Sequence, residues 1–196
     1  MERIRGLAEY IKNKDYREAL GLPQAQMEKY ELLAQGEHNI NYAFTHPVTG
    51  KKLLLRVNCG SQMHLKHQIE YEAHALKLIE GSGRTPKVLY VDGSKKILDH
   101  GVLVMEYLPG HAMDYHTELM LAAPCLADIH SVPIPESEEI LIHPENPLKA
   151  ILEECEEMFK VYLESPLGDE EKKTYIRELL NLGWKREAEI RLESGY

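Results

Sequence analysis

One arginine of the chain lies in an apolar stretch, where a charged side chain needs a partner. Arg56 comes late in residues 52–58 and is flanked by leucines and a valine. A cation there is costly unless a carboxylate pairs with it or it holds an anion. Glu72 is a candidate carboxylate, and Glu70 is a rival. These residue types together could hold a phosphate group. An outward-facing arginine at a strand end is the alternative.

A short polar segment upstream is also suited to an anion. It begins at Gly36 and runs to residue 41, between two segments that favour strands. Such a loop can fold its backbone N–H groups over a phosphate. Gly36 allows a close approach, and Asn39 could cap the turn with its side chain. Only one glycine is present, so a plain hairpin turn is the alternative.

A third segment has the character of an extended connection. Residues 101–107 predict a buried strand, and Pro109 and Gly110 follow it and allow the chain to change direction. An extended backbone there can offer a carbonyl to the exocyclic amine of adenine and an N–H group to a ring nitrogen. An ordinary strand end is the alternative.

The elements that must position these residues are short strands and one helix. Strands are expected at residues 29–35, 42–45, 51–57, 87–91 and 102–107. Turn residues at 47–50 make the second and third strands a hairpin. Apolar residues within 64–80 recur at intervals of three and four, which predicts a helix. The order predicts a five-stranded, largely antiparallel sheet with one helix packed on it, in an α+β fold.

Further helices are expected before and after the sheet. Residues 2–20 predict one or two of them, and three more are expected at 117–130, 148–164 and 169–193. The helix at 148–164 has an apolar face that consists of Ile151, Leu152, Cys155, Met158, Phe159, Tyr162 and Leu163.

The composition changes near Pro109 and Gly110, which suggests a boundary between two lobes. We therefore expect an N-terminal lobe over residues 1–108 with its leading helices. A hinge at about 105–110 would follow, and then a partial helical C-terminal lobe over 111–196.

The composition restricts the class of protein. The chain has 196 residues, and its formal net charge of −9 argues against nucleic-acid binding, which relies on a basic face. Three cysteines without a C-x-x-C motif fit a reducing compartment. The apolar runs are too short for a membrane span, and the N-terminus does not resemble a signal peptide. We expect a cytoplasmic protein. The ten histidines form no metal-ligand motif.

Taken together, the motifs resemble the aminoglycoside phosphotransferase/choline kinase family, whose fold is protein-kinase-like. The order carries the match: the loop at Gly36 and Asn39, the strand with Arg56, the helix with Glu72, the hinge, and the segment 126–130 that opens the second lobe. The resemblance covers roughly residues 29–131, and less clearly the helices to 193. It implies ATP as the nucleotide, Mg²⁺ for the complete fold, and a small-molecule acceptor that the sequence does not identify.

The resemblance assigns roles to individual residues. Gly36 and Asn39 would lie over the phosphates. Arg56 would replace the usual lysine and pair with Glu72. The hinge residues that would surround adenine are Met105, Glu106, Tyr107 and Leu108. In this scheme the Glu106 carbonyl and the Leu108 amide hold the base, and Met105 lines the back of the pocket.

The sequence departs from the family in one respect. The family requires H-x-D-x-x-x-x-N followed by a metal-binding Asp, and no histidine of this chain has an Asp two positions later. No Asp has an Asn five positions later. We expect a truncation before the catalytic loop, with no catalytic or metal-binding residues in this chain and negligible phosphoryl transfer by the chain alone.

Three hypotheses follow from the sequence. The first is an ATP-dependent small-molecule phosphotransferase, present as its nucleotide-binding lobe and the start of its substrate lobe. The second is a non-catalytic module, similar to a pseudokinase, that binds a nucleotide or a protein. The third is an α+β interaction domain without a nucleotide site. In a truncated fold the helices at 148–193 would lack part of their packing partner, and their exposed apolar stripe would favour self-association.

Overall fold

Five strands with alternating apolar residues form an antiparallel sheet in the order β1-β2-β3-β5-β4. The computed structural model describes residues 4–60 and 65–190. The strands are β1 Glu31–Gln35, β2 Asn39–Thr45, β3 Lys52–Asn58, β4 Val88–Asp92 and β5 Gly101–Glu106. Every strand pair is antiparallel, so the predicted sheet is confirmed.

The chain divides into two compact units, the first up to Leu141 and the second from Ile142 onward. The sheet belongs to the first unit. The lobe boundary expected at residues 105–110 stays a prediction.

Alternate side chains of each strand point to opposite faces of the sheet, and the register shows which residues share a face. Asn41 lies opposite Arg56, and Arg56 lies opposite Leu103. In the neighbouring row, Ala43, Leu54 and Met105 are aligned in the same way. Directly opposed residues share a face, so these two rows form one surface, which we call the Arg56 face.

The other face of the sheet is covered by two N-terminal helices, α1 Leu7–Tyr10 and α2 Lys14–Leu20. The main core lies between these helices and the sheet. Its fully buried side chains include Leu7, Ile11, Tyr16, Tyr42, Leu55, Val57, Val102 and Val104. Asn13 caps α2 by accepting hydrogen bonds from the backbone N–H groups of Asp15 and Tyr16. The N-terminal residues therefore complete the hydrophobic core of the sheet.

A buried ion pair holds the segment between α2 and β1. The guanidinium of Arg17 lies 2.9 Å from the carboxylate of Glu28, and both side chains are closed to solvent. Arg17 also donates to the backbone carbonyls of Ile11 and Ala25. Burial raises the pKa of the Glu28 carboxyl, but hydrogen bonds from Arg17 and from backbone N–H groups outweigh it and bring the pKa below its usual value.

The helix α3, Gln68–Leu78, packs on the Arg56 face through Ile69 and Ala73. They contact Leu103 and Met105 in a second, smaller core. The helix is shorter than the predicted 64–80. Residues 61–64 lie outside the described residues.

A hydrogen bond and an ion pair connect α3 and the loop after it to the later part of the first unit. His74 Nε2 lies 2.7 Å from Glu138 Oε2, and Glu138 also accepts from the N–H groups of Ile140 and Leu141. Arg84 lies 2.6 Å from Asp128, which belongs to α4 Leu119–His130. Residues 119–141 are thereby attached to the unit that contains the sheet.

The second unit is a pair of helices, α5 Pro147–Glu164 and α6 Glu170–Glu189. Asn146 and Asp169 cap their N-termini. Leu152 packs against Gly183, where a Cβ atom would lie 2.6 Å from the leucine methyl group. Trp184 donates to Glu156 across 2.7 Å. The two helices agree with the prediction, except that α6 ends at Glu189, with the extended Ile190 as its C-cap, before the predicted end at 193.

The apolar face predicted for 148–164 is only partly covered within the second unit. Phe159 is buried, but Ile151 and Met158 are 57% and 60% exposed. Among the described residues, no helix is both long and apolar enough to cross a membrane.

Candidate functional site

Arg56 and Glu72 form the ion pair that the sequence suggested. Arg56 Nη1 donates to Glu72 Oε1, which joins β3 to α3. The rival acceptor, Glu70, lies instead 3.5 Å from His67. The two side chains of the pair keep 25% and 21% of their surface exposed, so the pair lies at the edge of the core rather than inside it.

A second residue holds the same guanidinium group from the opposite side. The Nε atom of Arg56 donates to Asn41 Oδ1 across 3.0 Å. The third nitrogen, Nη2, has no hydrogen bond to any described residue. A guanidinium with an open N–H edge can donate to a carboxylate or phosphate. The arrangement is therefore able to bind an anion over the Arg56 face.

The predicted loop is a tight turn that is fixed to the end of β3. The Gly36 N–H group donates to the Asn39 carbonyl across 2.9 Å. The side-chain nitrogen Nδ2 of Asn58 donates to the His38 carbonyl at 3.3 Å and to the Gly60 carbonyl at 2.7 Å. It also lies 3.1 Å from Asn39 Oδ1, which accepts from it. These bonds join the turn to the segment that leads towards α3.

Two expectations about this loop were wrong. Residues 39–41 are strand and not loop, because they pair with residues 56–58 of β3. Asn39 does not cap the turn, because its Oδ1 accepts a hydrogen bond from the Asn58 side chain and from no backbone N–H group of the described residues. Gly36 is exposed, as an approach to an anion would require.

The predicted hinge begins at a buried methionine. Met105 is 4% exposed and lies in the row with Ala43 and Leu54. The backbone N–H group of Glu106 donates to the Lys87 carbonyl across 3.0 Å, and the Glu106 carboxylate accepts from the Lys87 N–H group. β5 ends at Glu106. The paired strand therefore ends where the predicted hinge begins.

The next two hinge residues are at the surface. The centroid of the Tyr107 ring lies 4.2 Å from Lys52 Nζ, and the backbone N–H group of Tyr107 donates to the Lys52 carbonyl across 3.3 Å. Leu108 is 52% exposed. The structure thus places Met105, Leu54 and Ala43 on one surface with Arg56, and Tyr107 and Leu108 beyond the strand end.

Two residues in this arrangement, Asn41 and Asn58, were not singled out from the sequence. A signal for them exists in the spacing, since Asn39 and Asn41 are two apart, as are Arg56 and Asn58. Residues two apart in a strand share a face. With the hairpin register known, these four residues form two opposed pairs.

The family model that matches this chain is the phosphotransferase enzyme family, over residues 29–184. The chain belongs to this family. The predicted resemblance is confirmed. A search of curated proteins gave no match.

Solved structures of two kinases share the fold of this phosphotransferase family member. An ethanolamine kinase from Plasmodium vivax matches with a TM-score of 0.65 and 12% identity, over 93% of this chain and 50% of its own. A choline kinase from Cryptosporidium parvum matches with a TM-score of 0.53 and 15% identity, over 92% of this chain and 46% of its own. This chain therefore spans about half the length of these structures, and the kinase-like fold is confirmed as a partial one.

Kinases of the phosphotransferase family use ATP and Mg²⁺, so we tested the described residues for a metal site. Mg²⁺ prefers oxygen ligands such as carboxylates. No group of three or more His, Cys, Asp or Glu side chains within residues 4–60 and 65–190 could hold a metal ion. The described residues therefore contain no preformed cluster of metal ligands.

Proposed function

We propose that this chain is the nucleotide-binding part of an ATP-dependent small-molecule phosphotransferase. The observation that supports this is the guanidinium of Arg56, which Asn41 and Glu72 hold from two sides while Nη2 has no partner among the described residues. In kinases a strand cation paired with a helix carboxylate binds the phosphates of ATP. Arg56 would bind the α- and β-phosphates in the same way.

The base would lie on the apolar row next to Arg56. Ala43 and Leu54 would contact one side of adenine, and Met105 would line the back of the pocket. The Glu106 carbonyl and the Leu108 amide would hydrogen-bond to the edge of the base. An exposed Leu108 after a buried Met105 is compatible with this arrangement.

The phosphates would extend from Arg56 towards the turn at Gly36 and Asn39. Arg56 and Asn58 both lie in the last part of β3, on the same face, and Asn58 holds that turn in place. Backbone N–H groups of a turn can bind anionic oxygens when they point to one side. This proposal gives Gly36 and Asn39 the role that the sequence suggested.

We further propose that the chain alone does not transfer the phosphoryl group. Phosphoryl transfer depends on bound metal ions and on a residue that orients the acceptor. The sequence contains no H-x-D-x-x-x-x-N motif, and the described residues contain no cluster of three or more metal ligands. The acceptor of a complete enzyme would be a hydroxyl group of a small molecule. The three free cysteines suit a reducing, cytoplasmic setting.

The second candidate is a non-catalytic module that binds a nucleotide as its function. The same missing motif favours it. The two candidates share the nucleotide site and differ in transfer. They are separated by adding the C-terminal part of a homologue, which contains the motif but lacks a nucleotide-binding lobe, and asking whether transfer from ATP then appears.

The proposal is tested by thermal unfolding of the chain with ADP or ATP, each with and without Mg²⁺, and with adenosine as the control without phosphates. A ligand that binds only the folded state raises the unfolding temperature. We expect ADP and ATP to raise it more than adenosine does. An unfolding temperature unchanged by every nucleotide would refute nucleotide binding. Labelled phosphate transferred from ATP to a hydroxyl compound would refute the proposed inactivity.

A further inference from the structure

We propose that Asn41 is a positioning residue, which sets the orientation of the Arg56 guanidinium for the phosphates of the nucleotide. This inference rests on the proposed function. Asn41 lies directly opposite Arg56 on the neighbouring strand. Its Oδ1 atom accepts the hydrogen bond from Arg56 Nε across 3.0 Å.

The argument depends on the shape of the guanidinium. This group is planar, and its N–H donors point in fixed directions. Once Nε is bound to Asn41 and Nη1 to Glu72, both the plane of the group and its rotation in that plane are set. The two N–H donors of Nη2 then point in fixed directions.

The Glu72 contact alone does not set this orientation. With one acceptor, the guanidinium can turn about the ion pair, and the two side chains are a fifth to a quarter exposed, which leaves room to do so. Binding a nucleotide would then have to immobilise the group, and that loss of freedom weakens affinity. Asn41 removes this freedom before the nucleotide binds.

The choice of an amide is also explained by charge. Arg56 and Glu72 together carry no net formal charge when both are ionised. An aspartate at position 41 would add a negative charge beside the group that is to bind an anion, and like charges repel. An asparagine supplies the same acceptor oxygen without that charge. The position therefore combines a hydrogen-bond acceptor with electrical neutrality.

The experiment measures the affinity of ADP and of adenosine by titration calorimetry for the wild type and for Asn41→Leu. Without Asn41 the guanidinium has to be immobilised when the nucleotide binds, so we expect ADP to bind roughly three- to tenfold more weakly. Adenosine has no phosphates, and its affinity should stay unchanged. An equal loss for both ligands, or no loss for ADP, would overturn the role of Asn41.

A double-mutant cycle separates positioning from a general effect on the strand. In the Arg56→Ala background, Asn41→Leu should change ADP affinity by less than about twofold, because Asn41 has no guanidinium left to orient. In the Arg84→Ala background, which removes an arginine elsewhere in the unit, the full effect of Asn41→Leu should remain. A full effect in the Arg56→Ala background would contradict the inference.

Two further measurements keep the test decisive. Asn41→Ser has a polar side chain that is too short to reach Nε, so it should weaken ADP binding to the same extent as expected for Asn41→Leu. It replaces the leucine variant in the test if Asn41→Leu does not fold. If the wild type binds no ADP, the proposed function fails and this inference fails with it. If the wild type binds ADP and both variants equal it, only the role of Asn41 fails.

Discussion

Arg17 and Arg56 each pair with a glutamate, but Arg17 is closed to solvent while Arg56 keeps 25% of its side chain exposed. The nitrogens of Arg17 are all bonded to protein groups, which include the carbonyl of Pro23. Arg56 retains an open nitrogen among the described residues. The same chemistry therefore stabilises the fold at Arg17 and leaves a binding group at Arg56.

Replacement of Arg17 should destabilise the first unit. Arg17→Met leaves the Glu28 carboxylate buried without its cation, and breaking a buried pair in this way costs about 3–5 kcal/mol. The free energy of unfolding from urea denaturation measures this. The double variant Arg17→Met/Glu28→Leu should recover most of the loss. As a control, Lys14→Ala removes an exposed pair and should cost less than about 1 kcal/mol. Equal costs for Arg17→Met and Lys14→Ala would contradict the prediction.

Stability should also fall at acidic pH through Glu28. Its pKa is lower in the folded state than the ordinary value of 4.5, so its contribution is present above that value. The contribution is lost as the pH falls from there through the folded pKa, because the folded state then must take up a proton. Denaturation at a series of pH values measures the slope. The Arg17→Met/Glu28→Leu variant should have a shallower slope in this range, and an identical slope would rule out Glu28 as the cause.

Loss of the Asn58 side chain should loosen the turn at residues 36–39. Asn58→Leu removes its hydrogen bonds to His38, Asn39 and Gly60. With about 1 kcal/mol lost per neutral hydrogen bond, amide hydrogen exchange in the turn should become several-fold faster. Exchange in α3 should not change and serves as the internal control. Unchanged exchange in the turn would show that backbone bonds, such as the one from the Cys59 N–H group to the His38 carbonyl, hold it without the Asn58 side chain.

The second unit should cause self-association through α5. Ile151 and Met158 are exposed apolar side chains of that helix, and exposed apolar patches favour association. Light scattering should give a mass that rises with concentration, and Ile151→Lys/Met158→Lys should lower it. Glu154→Lys also introduces a lysine on α5 and should leave the mass unchanged. A monodisperse monomer at all concentrations would contradict this prediction.

The sequence predicted those parts of the molecule that depend on local patterns. The strands, α3 and the pairing of Arg56 with Glu72 follow from apolar periodicity and from the cost of an unpaired cation. The extent of β2 was wrong, because Asn39 and Asn41 are polar and favour turns by themselves. Their pairing with β3 outweighs that preference.

Other features needed contacts between distant residues. The pairing of Arg17 with Glu28 depends on how α2 packs, and no local signal identifies it. Asn41 and Asn58 gain their contacts only once the hairpin register is fixed. Polar residues are common in strands, and only the cross-strand partner shows which of them contributes to the site.

The central claim is that Arg56 binds the phosphates of a nucleotide, and titration calorimetry with ADP tests it most directly. The wild type, Arg56→Ala and Arg84→Ala are compared, since Arg84 pairs with Asp128 away from the Arg56 face. We predict that Arg56→Ala weakens ADP binding by roughly tenfold or more, as expected for a hydrogen bond to a charged group, and that Arg84→Ala leaves it unchanged. Equal affinity of Arg56→Ala and the wild type, or no binding by the wild type, would contradict the claim.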